Sequence, residues 1–551
     1  MNLKCAFGFF IFLNFYSFLV EAQFQNQTEV LQTKTGTGSF GWAVATLKDI
    51  NDDSVNDYVV GAIGANTATV YSGSDGQLLY TFSMTNSNFG YAVADAGDVD
   101  GDGLTDIIVG GPSNANSKGI SVVYSGATGL QLWSFEGESV GDRFGAAVSS
   151  AGDVNNDGRS DLLIGADSND AQGNNSGRVY VYSGLDGQLI RNLEAESSFD
   201  RFGGGTGLLG DVNNDGIKDH IIGAYAAGAT SGGKAYVYSG SDGSALFELN
   251  PDMGANVFGQ FFVANAGDVD NDGIEDIYVG DYNHGGGAGR VYIFSGDDQH
   301  VIYRFSGSSN PAEGAGPGRS AGDVNNDGHS DIIVGFYTGA ASQAGRTTVF
   351  SGKDGSVLQN FIHTISNSQL GFDAVGIGDV NNDSMFDFLV TAANGNIVYV
   401  LAGETERAPE ITINSGLSGA WFNRSTSGQG ILIEVLPTQK NIFLAYFTFD
   451  QQPDTSGESA IIGDINHRWL TAFGGYQNNI ANLNISVTRG GLFNNSAAVA
   501  SSAYGTITLT FHDCEKATLT FNLLPPRISG SYQLSRIAND NVAMCEMLSQ
   551  Q

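Results

Sequence analysis

Ala151-Gly-Asp-Val-Asn-Asn-Asp-Gly-Arg-Ser-Asp-Leu-Leu-Ile-Gly-Ala166 is the stretch whose reading decides the fold. It reads as the end of a strand, a tight acidic loop and the start of another strand. Asp153, Asn155, Asp157 and Asp161 fall at loop positions 1, 3, 5 and 9, with Gly158 at position 6. Calcium takes roughly six to eight hard oxygen ligands, and carboxylates at alternate positions of a short loop can fold around one ion. The glycine lets the chain turn where a side chain would obstruct it. Leu162-Leu163-Ile164 suits a buried strand. The stretch returns with its first Asp at Asp49, Asp98, Asp153, Asp211, Asp268, Asp323 and Asp379, at intervals of 49 to 58 residues. Seven copies at this period predict a repeat architecture.

The loop is similar to the first half of an EF-hand, but no bidentate Glu stands at position 12, where Ile164 sits. Six of the seven copies carry an upstream pair: Phe40-Gly41, Phe89-Gly90, Phe144-Gly145, Phe202-Gly203, Phe258-Gly259 and Leu370-Gly371. Downstream come a small-residue triplet such as Gly61-Ala62-Ile63 or Gly110-Gly111-Pro112, and then a strand such as Val179–Gly184. Over about residues 27 to 403 this resembles the FG-GAP repeat of integrin alpha-subunit propellers and related bacterial exported proteins. The resemblance implies a seven-bladed β-propeller with four strands per blade and calcium between the first two strands of each. The ligands so implied are Asp49, Asn51, Asp53 and Asp57; Asp98, Asp100, Asp102 and Asp106; Asp153, Asn155, Asp157 and Asp161; Asp211, Asn213, Asp215 and Asp219; Asp268, Asp270, Asp272 and Asp276; Asp323, Asn325, Asp327 and Asp331; and Asp379, Asn381, Asp383 and Asp387. Up to seven calcium ions are expected. Loops two and five, with Asp100 and Asp270 at position 3, should bind tightest. Loops one and seven, with Ser54 and Ser384 at position 6, should be weakest.

Residues 1–22 read as an export signal: Lys4, an apolar run from Cys5 to Val20, and Val20-Glu21-Ala22 before cleavage at Gln23. The run is short and Asn14 interrupts it, so a membrane anchor is the weaker reading. The mature chain is expected to have no transmembrane anchor and to be secreted or held at the cell surface. Cys514 and Cys545 remain as an even pair in an oxidising compartment, which predicts a disulfide. The net charge of −35 argues against nucleic acid or an anionic membrane as partner. Twelve acids and eight bases lie from Glu404 onward, leaving −31 on the first 403 residues. Most of that excess is the repeated loop Asp, which calcium would neutralise in part.

A Ser-Gly-x-Asp-Gly turn precedes the fourth strand at Asp75-Gly76, Asp186-Gly187, Asp242-Gly243 and Asp354-Gly355. Repeat seven ends at 398–403 without such a strand, while residues 29–35 form an orphan strand before the first Phe-Gly. The expectation is that 29–35 completes blade seven and closes the ring. On the face opposite the acidic loops, Tyr225, Tyr282 and Tyr337 stand two residues after the second-strand glycine in blades four, five and six. Arg178, Lys234, Arg290 and Arg346 open the third strands of blades three to six. Tyr225, Tyr282, Tyr337 and Arg290 are therefore the candidate ligand site, because aromatic faces beside cations suit a sugar or an acidic peptide. The same residues also suit packing between blades.

After a linker at 404–410, residues 411–551 change character. Alternating runs at 431–436, 442–449, 483–487, 506–511 and 517–523 predict a second all-β domain, sandwich or barrel. Trp421, Trp469 and Tyr476 could form a sugar platform there or pack a core. Catalytic signals are poor. Gly137-Glu-Ser-Val-Gly141 and the two Gly-x-Gly-x-x-Gly runs at 36–41 and 205–210 lie outside the strand–helix context their chemistry needs. The seven histidines show no paired metal spacing. The expectation is an all-β, exported, calcium-binding propeller occupying 23–403 that is not an enzyme and binds a glycan or an extracellular protein. A polysaccharide-active hydrolase or lyase on the same scaffold is the alternative, and a matrix role is a third possibility.

Overall fold

The computed structural model describes residues 24–25, 28–403, 411–423, 430–449, 467–489, 500–523, 528–538 and 541–549. The signal at 1–22 and the linker at 404–410 lie outside the described residues. The chain divides into two compact units, Met1–Glu406 and Arg407–Gln551.

The first unit is a seven-bladed β-propeller. Blade three shows the pattern: Phe144–Gly152, Asp161–Ala166, Arg178–Tyr182 and Leu189–Glu194 pair antiparallel in chain order. The other blades open at Phe40–Leu47, Ala92–Gly97, Phe202–Leu208, Val263–Gly267, Ala315–Gly322 and Leu370–Gly378. Each of these opening strands packs against its counterpart in the next blade, and that of blade seven packs against that of blade one. Blade seven takes its outer strand from the start of the chain. Val30–Thr35 runs antiparallel to Ile397–Leu401, with Thr35 opposite Ile397.

The repeat's signature residues explain the packing. Every second strand is buried throughout, as Asp161–Ala166 is, because it lies between neighbouring blades. Phe144, Phe202 and Phe258 turn into the core against Tyr180, Tyr236 and Tyr292, with centroids 5.2, 5.9 and 5.3 Å apart. The glycine after each Phe does the opposite and brings its backbone to the next sheet. A Cβ on Gly165 would lie 2.2 Å from the Gly203 carbonyl oxygen, so two glycines let adjacent blades touch backbone to backbone.

The second unit is a closed eight-stranded β-barrel from Gly419–Phe422 to Ile528–Arg536, the first strand pairing with the last at Trp421 and Arg536. Closure leaves no unpaired edge. Of the two alternatives for residues 411–551, sandwich or barrel, the structure is the barrel. Its interior is apolar, with Trp421, Ile433, Leu444, Leu483, Leu509 and Leu519 in one cluster. Cys514 and Cys545 form a disulfide that holds the helix Val542–Ser549 to the hairpin turn before Lys516–Leu523. Trp421 is not a sugar platform. It is fully buried, donates from Nε1 to the Leu417 carbonyl at 3.2 Å and lies 4.9 Å beneath the Arg536 guanidinium. Tyr476 packs against the same core, while the Trp469 side chain lies outside the described residues.

Candidate metal loops and the face opposite them

Each acidic loop joins the first and second strands of its blade, and its own backbone shapes it. In blade three, Asp153 at position 1 accepts the N–H groups of Asp157 and Gly158 at 3.0 and 2.9 Å. Asn155 accepts the Asp157 N–H at 2.9 Å, and Asp157 accepts that of Arg159 at 3.0 Å. Asp161 at position 9 is wholly buried and accepts from Val154 N at 2.9 Å and Gly184 N at 3.0 Å, tying the loop to the turn after strand three. The position-9 residues Asp57, Asp106, Asp219, Asp276, Asp331 and Asp387 make the same bridge. Burial pushes Asp57, Asp161, Asp331 and Asp387 up to about 6, and Asp106 and Asp276 up to about 7, although the backbone donors oppose it.

The loops differ where their sequences differ. Oxygens of Asp98, Asp100 and Asp106 lie within 4.8 Å of one another, as do those of Asp268, Asp270 and Asp276. In the other five loops Asn at position 3 replaces one of these carboxylates. Asp270 Oδ1 is buried with no hydrogen-bond partner. An all-oxygen donor set with such an orphaned anionic atom fits a hard divalent cation. His329, at position 7 of the loop in blade six, donates from Nδ1 to the Val269 carbonyl, 2.8 Å away, and so braces the loop of blade five.

Antiparallel pairing places the loops after strand two, and those between blades, at the opposite end from the acidic loops. There the structure brings Tyr282 and Tyr337 together, with ring centroids 6.4 Å apart. Tyr225 stands apart from that pair. Its ring covers Gly204 and its hydroxyl donates to Asp167 at 3.2 Å. Burial, then the neighbouring Tyr337, pushes the Tyr282 hydroxyl up to about 12, so it stays a neutral donor to Gln260 Oε1 at 2.8 Å. Arg290 does not join the tyrosines. It donates to Ser306 Oγ and Asp252 Oδ2 at 2.9 and 3.0 Å and lies over Tyr292 of its own strand. Arg178, Lys234 and Arg346 are likewise paired, with Glu138 and Glu194, Glu196 and Glu248, and Glu313. The four cations are neutralised between strands and do not serve a common site.

The arc instead continues through residues the sequence reading passed over. Phe372 lies 5.8 Å from Tyr337 and 5.1 Å from Trp42, which lies 5.8 Å from Tyr91. Tyr91 lies 5.9 Å from Phe261. Phe261 belongs to blade five and Tyr91 to blade two, so this contact crosses the mouth of the central channel. The crossing is made by a left-handed backbone, φ 64°, and a 3.2 Å bond from Phe261 N to the Gly204 carbonyl. Beneath the collar is a cavity of about 980 Å³ lined by the opening strands of all seven blades. A signal existed in the sequence. Trp42, Tyr91 and Phe372 each follow the glycine of the Phe-Gly or Leu-Gly pair directly. The carboxylates lining this cavity are engaged: Asp373 by Arg319 and Val44 N, Asp95 by Thr105 and Gly97 N, and Asp153 by Asp157 N and Gly158 N.

Residues 144–182 match the FG-GAP repeat, and residues 268–334 an FG-GAP-like repeat. The chain is 31% identical over 186 residues to integrin alpha-5 of Xenopus laevis, covering 31% of this chain and 17% of that protein. It is 34% identical over 161 residues to integrin alpha-4 of Xenopus laevis, covering 27% and 15%. Integrin alpha-8 of Gallus gallus is 31% identical over 199 residues, covering 33% and 18%. The chain thus spans about a sixth of the length of these relatives. Among solved structures, that of the Dos1 propeller superposes with a TM-score of 0.40 at 12% identity, covering 68% of this chain and 78% of that one.

Proposed function

We propose that this FG-GAP propeller is an exported, calcium-braced binding module of the adhesion type, which meets a glycan or an extracellular protein on its aromatic face. The observation that carries the reading is the division of labour between the two ends of the ring. One end holds seven acidic loops of a single design, and the other holds half-buried aromatic rings around a cavity of about 980 Å³. Half-buried rings in contact with one another give a large apolar area that is already ordered, which lowers the entropic cost of binding. The loops brace the blades from the far end. The barrel is an accessory unit stapled by its disulfide.

Binding is favoured over hydrolysis or lysis because the carboxylates Asp95 and Asp373 are held by internal donors. Among the described residues no histidine lines the cavity. The test is an array of glycans and extracellular matrix proteins, probed with and without calcium. Trp42→Ala and Phe372→Ala should abolish the hits of the parent protein while keeping its melting temperature. Hits that survive both substitutions would place recognition elsewhere.

A further inference from the structure

Beside the contact between Phe261 and Tyr91, part of the channel mouth has a chemistry of its own. Its boundary is a closed circuit of contacts. Phe261 meets the Tyr91 ring, and Tyr91 Oη accepts from Arg143 Nη2 at 3.2 Å. Arg143 Nε donates to Asp167 Oδ1 at 2.9 Å, and Tyr225 Oη donates to Asp167 Oδ2 at 3.2 Å. The Tyr225 ring lies on Gly204, whose carbonyl holds Phe261 N. A second cation, Arg201, reaches this circuit through Ser168 Oγ, which itself donates to Asp167 Oδ1 at 3.0 Å.

The charges do not balance. Two guanidinium groups adjoin one carboxylate, and Arg201 has no ion-pair partner among the described residues. Arg201 is thus a cation without an ion pair in a unit whose formal charge is strongly negative. Arg143 and Arg201 precede Phe144 and Phe202 and have left-handed backbones, φ 59° and 60°. The repeat therefore places both residues at the same backbone position on adjacent blades, while their side chains make different contacts.

We infer that this part of the mouth binds the carboxylate of a uronic acid residue at the end of an acidic oligosaccharide. The inference rests on the binding reading above and names its ligand class. Arg201 takes the carboxylate, with Arg143 beside it as the second cation. A planar guanidinium suits a planar carboxylate, and such charge-assisted bonds are stronger than neutral ones. The Tyr91, Tyr225 and Phe261 rings supply flat apolar faces for the C–H side of a sugar ring. A peptide fits less well, because strand addition needs a free edge and none runs along this mouth, where each blade presents its turns.

The experiment is calorimetric titration of the full chain, calcium-loaded, with a uronic acid trisaccharide and with the same trisaccharide after reduction of its carboxylates to alcohols. The acidic sugar should bind at least tenfold more tightly than the reduced one. Arg201→Gln should cost at least tenfold in affinity for the acidic sugar and nothing for the reduced one. Arg178→Gln, at a neutralised cation on the periphery, should leave both affinities unchanged and serves as the folding-matched control. Equal binding of the two sugars, or an unaltered affinity in a folded Arg201→Gln protein, would overturn the inference. So would binding of an oligo-aspartate peptide without binding of the sugar. Those outcomes leave the broader reading standing if Trp42→Ala still removes array hits. Loss of the array hits altogether removes both.

Discussion

Position 6 of the acidic loop shows how one backbone angle discriminates between residues. Gly158 sits there at φ 86°, but Ser54 and Ser384 are held at 69° and 72°. A left-handed residue with a Cβ costs about 1–2 kcal/mol, and the greater unfolded freedom of glycine returns about 0.5–1 kcal/mol of that. Ser54→Gly and Ser384→Gly should therefore each stabilise the propeller by about 0.5–1 kcal/mol in a denaturant titration. A loss of stability would mean that the serine hydroxyls contribute something the backbone does not reveal. His363 gives a second residue-level expectation. It is fully buried between Ser368 Oγ at 2.6 Å and Tyr399 Oη at 3.1 Å, and burial pushes it down to about 4. The unfolded chain binds its proton near pH 6.5, so the contribution of neutral His363 is complete above 6.5 and is lost as pH falls towards 4. One group accounts for a slope of at most about 1.4 kcal/mol per pH unit in that window. His363→Gln should flatten the acid limb of a melting-temperature profile between those values and leave its neutral plateau almost flat. An identical acid limb would show that other groups set it.

At the scale of the blade, the contact between neighbouring sheets depends on paired glycines. Gly165→Ala would place its Cβ 2.2 Å from the Gly203 oxygen, which is backbone and cannot rotate away. Overpacking of this kind costs about 1–3 kcal/mol, so a fall of that size in unfolding free energy is expected. A neutral result would mean that blades three and four slide apart freely. The acidic loops, the Phe-Gly pairs and the Gly-small pairs were legible in the sequence because they repeat, and each copy meets the same surroundings. The proposed recognition face was legible only in part, because its aromatic residues are departures from the repeat. Tyr282 and Tyr337 were found two residues after the second-strand glycine, but Trp42, Tyr91 and Phe372 needed the position after Phe-Gly or Leu-Gly. The third-strand cations were misread for a physical reason. Arg178 lies opposite Glu194 in register, so a cross-strand carboxylate takes the charge before any ligand can. Phe261 was out of reach, because its crossing of the channel follows from a left-handed turn that no alternation encodes. In the barrel, alternation marks the strands, but closure depends on Trp421 pairing with Arg536 across more than a hundred residues.

For the whole molecule the question is which unit each stabiliser serves. The formal −31 lies on the first 403 residues, and loops two and five each bring three carboxylates within 4.8 Å. Without a cation these groups repel one another, and burial has already raised the position-9 members. An ion that binds only the folded loops adds about 2.7 kcal/mol per site at a hundredfold excess over its dissociation constant. The disulfide belongs to the other unit. Cys514 and Cys545 are separated by 31 residues, and closing a loop of that order stabilises by about 3–4 kcal/mol, depending on the model used for the unfolded chain. Each unit has its own buried core, so scanning calorimetry of the full chain should resolve two transitions. Calcium should raise one of them in proportion to the logarithm of its excess, and a chelator should lower that one alone. A thiol reductant should lower the other and leave the calcium-dependent transition in place. Asp100→Asn and Asp270→Asn, which give loops two and five the position-3 Asn that the other five already carry, should shrink the calcium response less than Asp98→Asn and Asp268→Asn, which remove the position-1 carboxylate of the same loops. If calcium and reductant move the same transition, the loops do not brace the propeller, and the division of labour between its two ends fails with them.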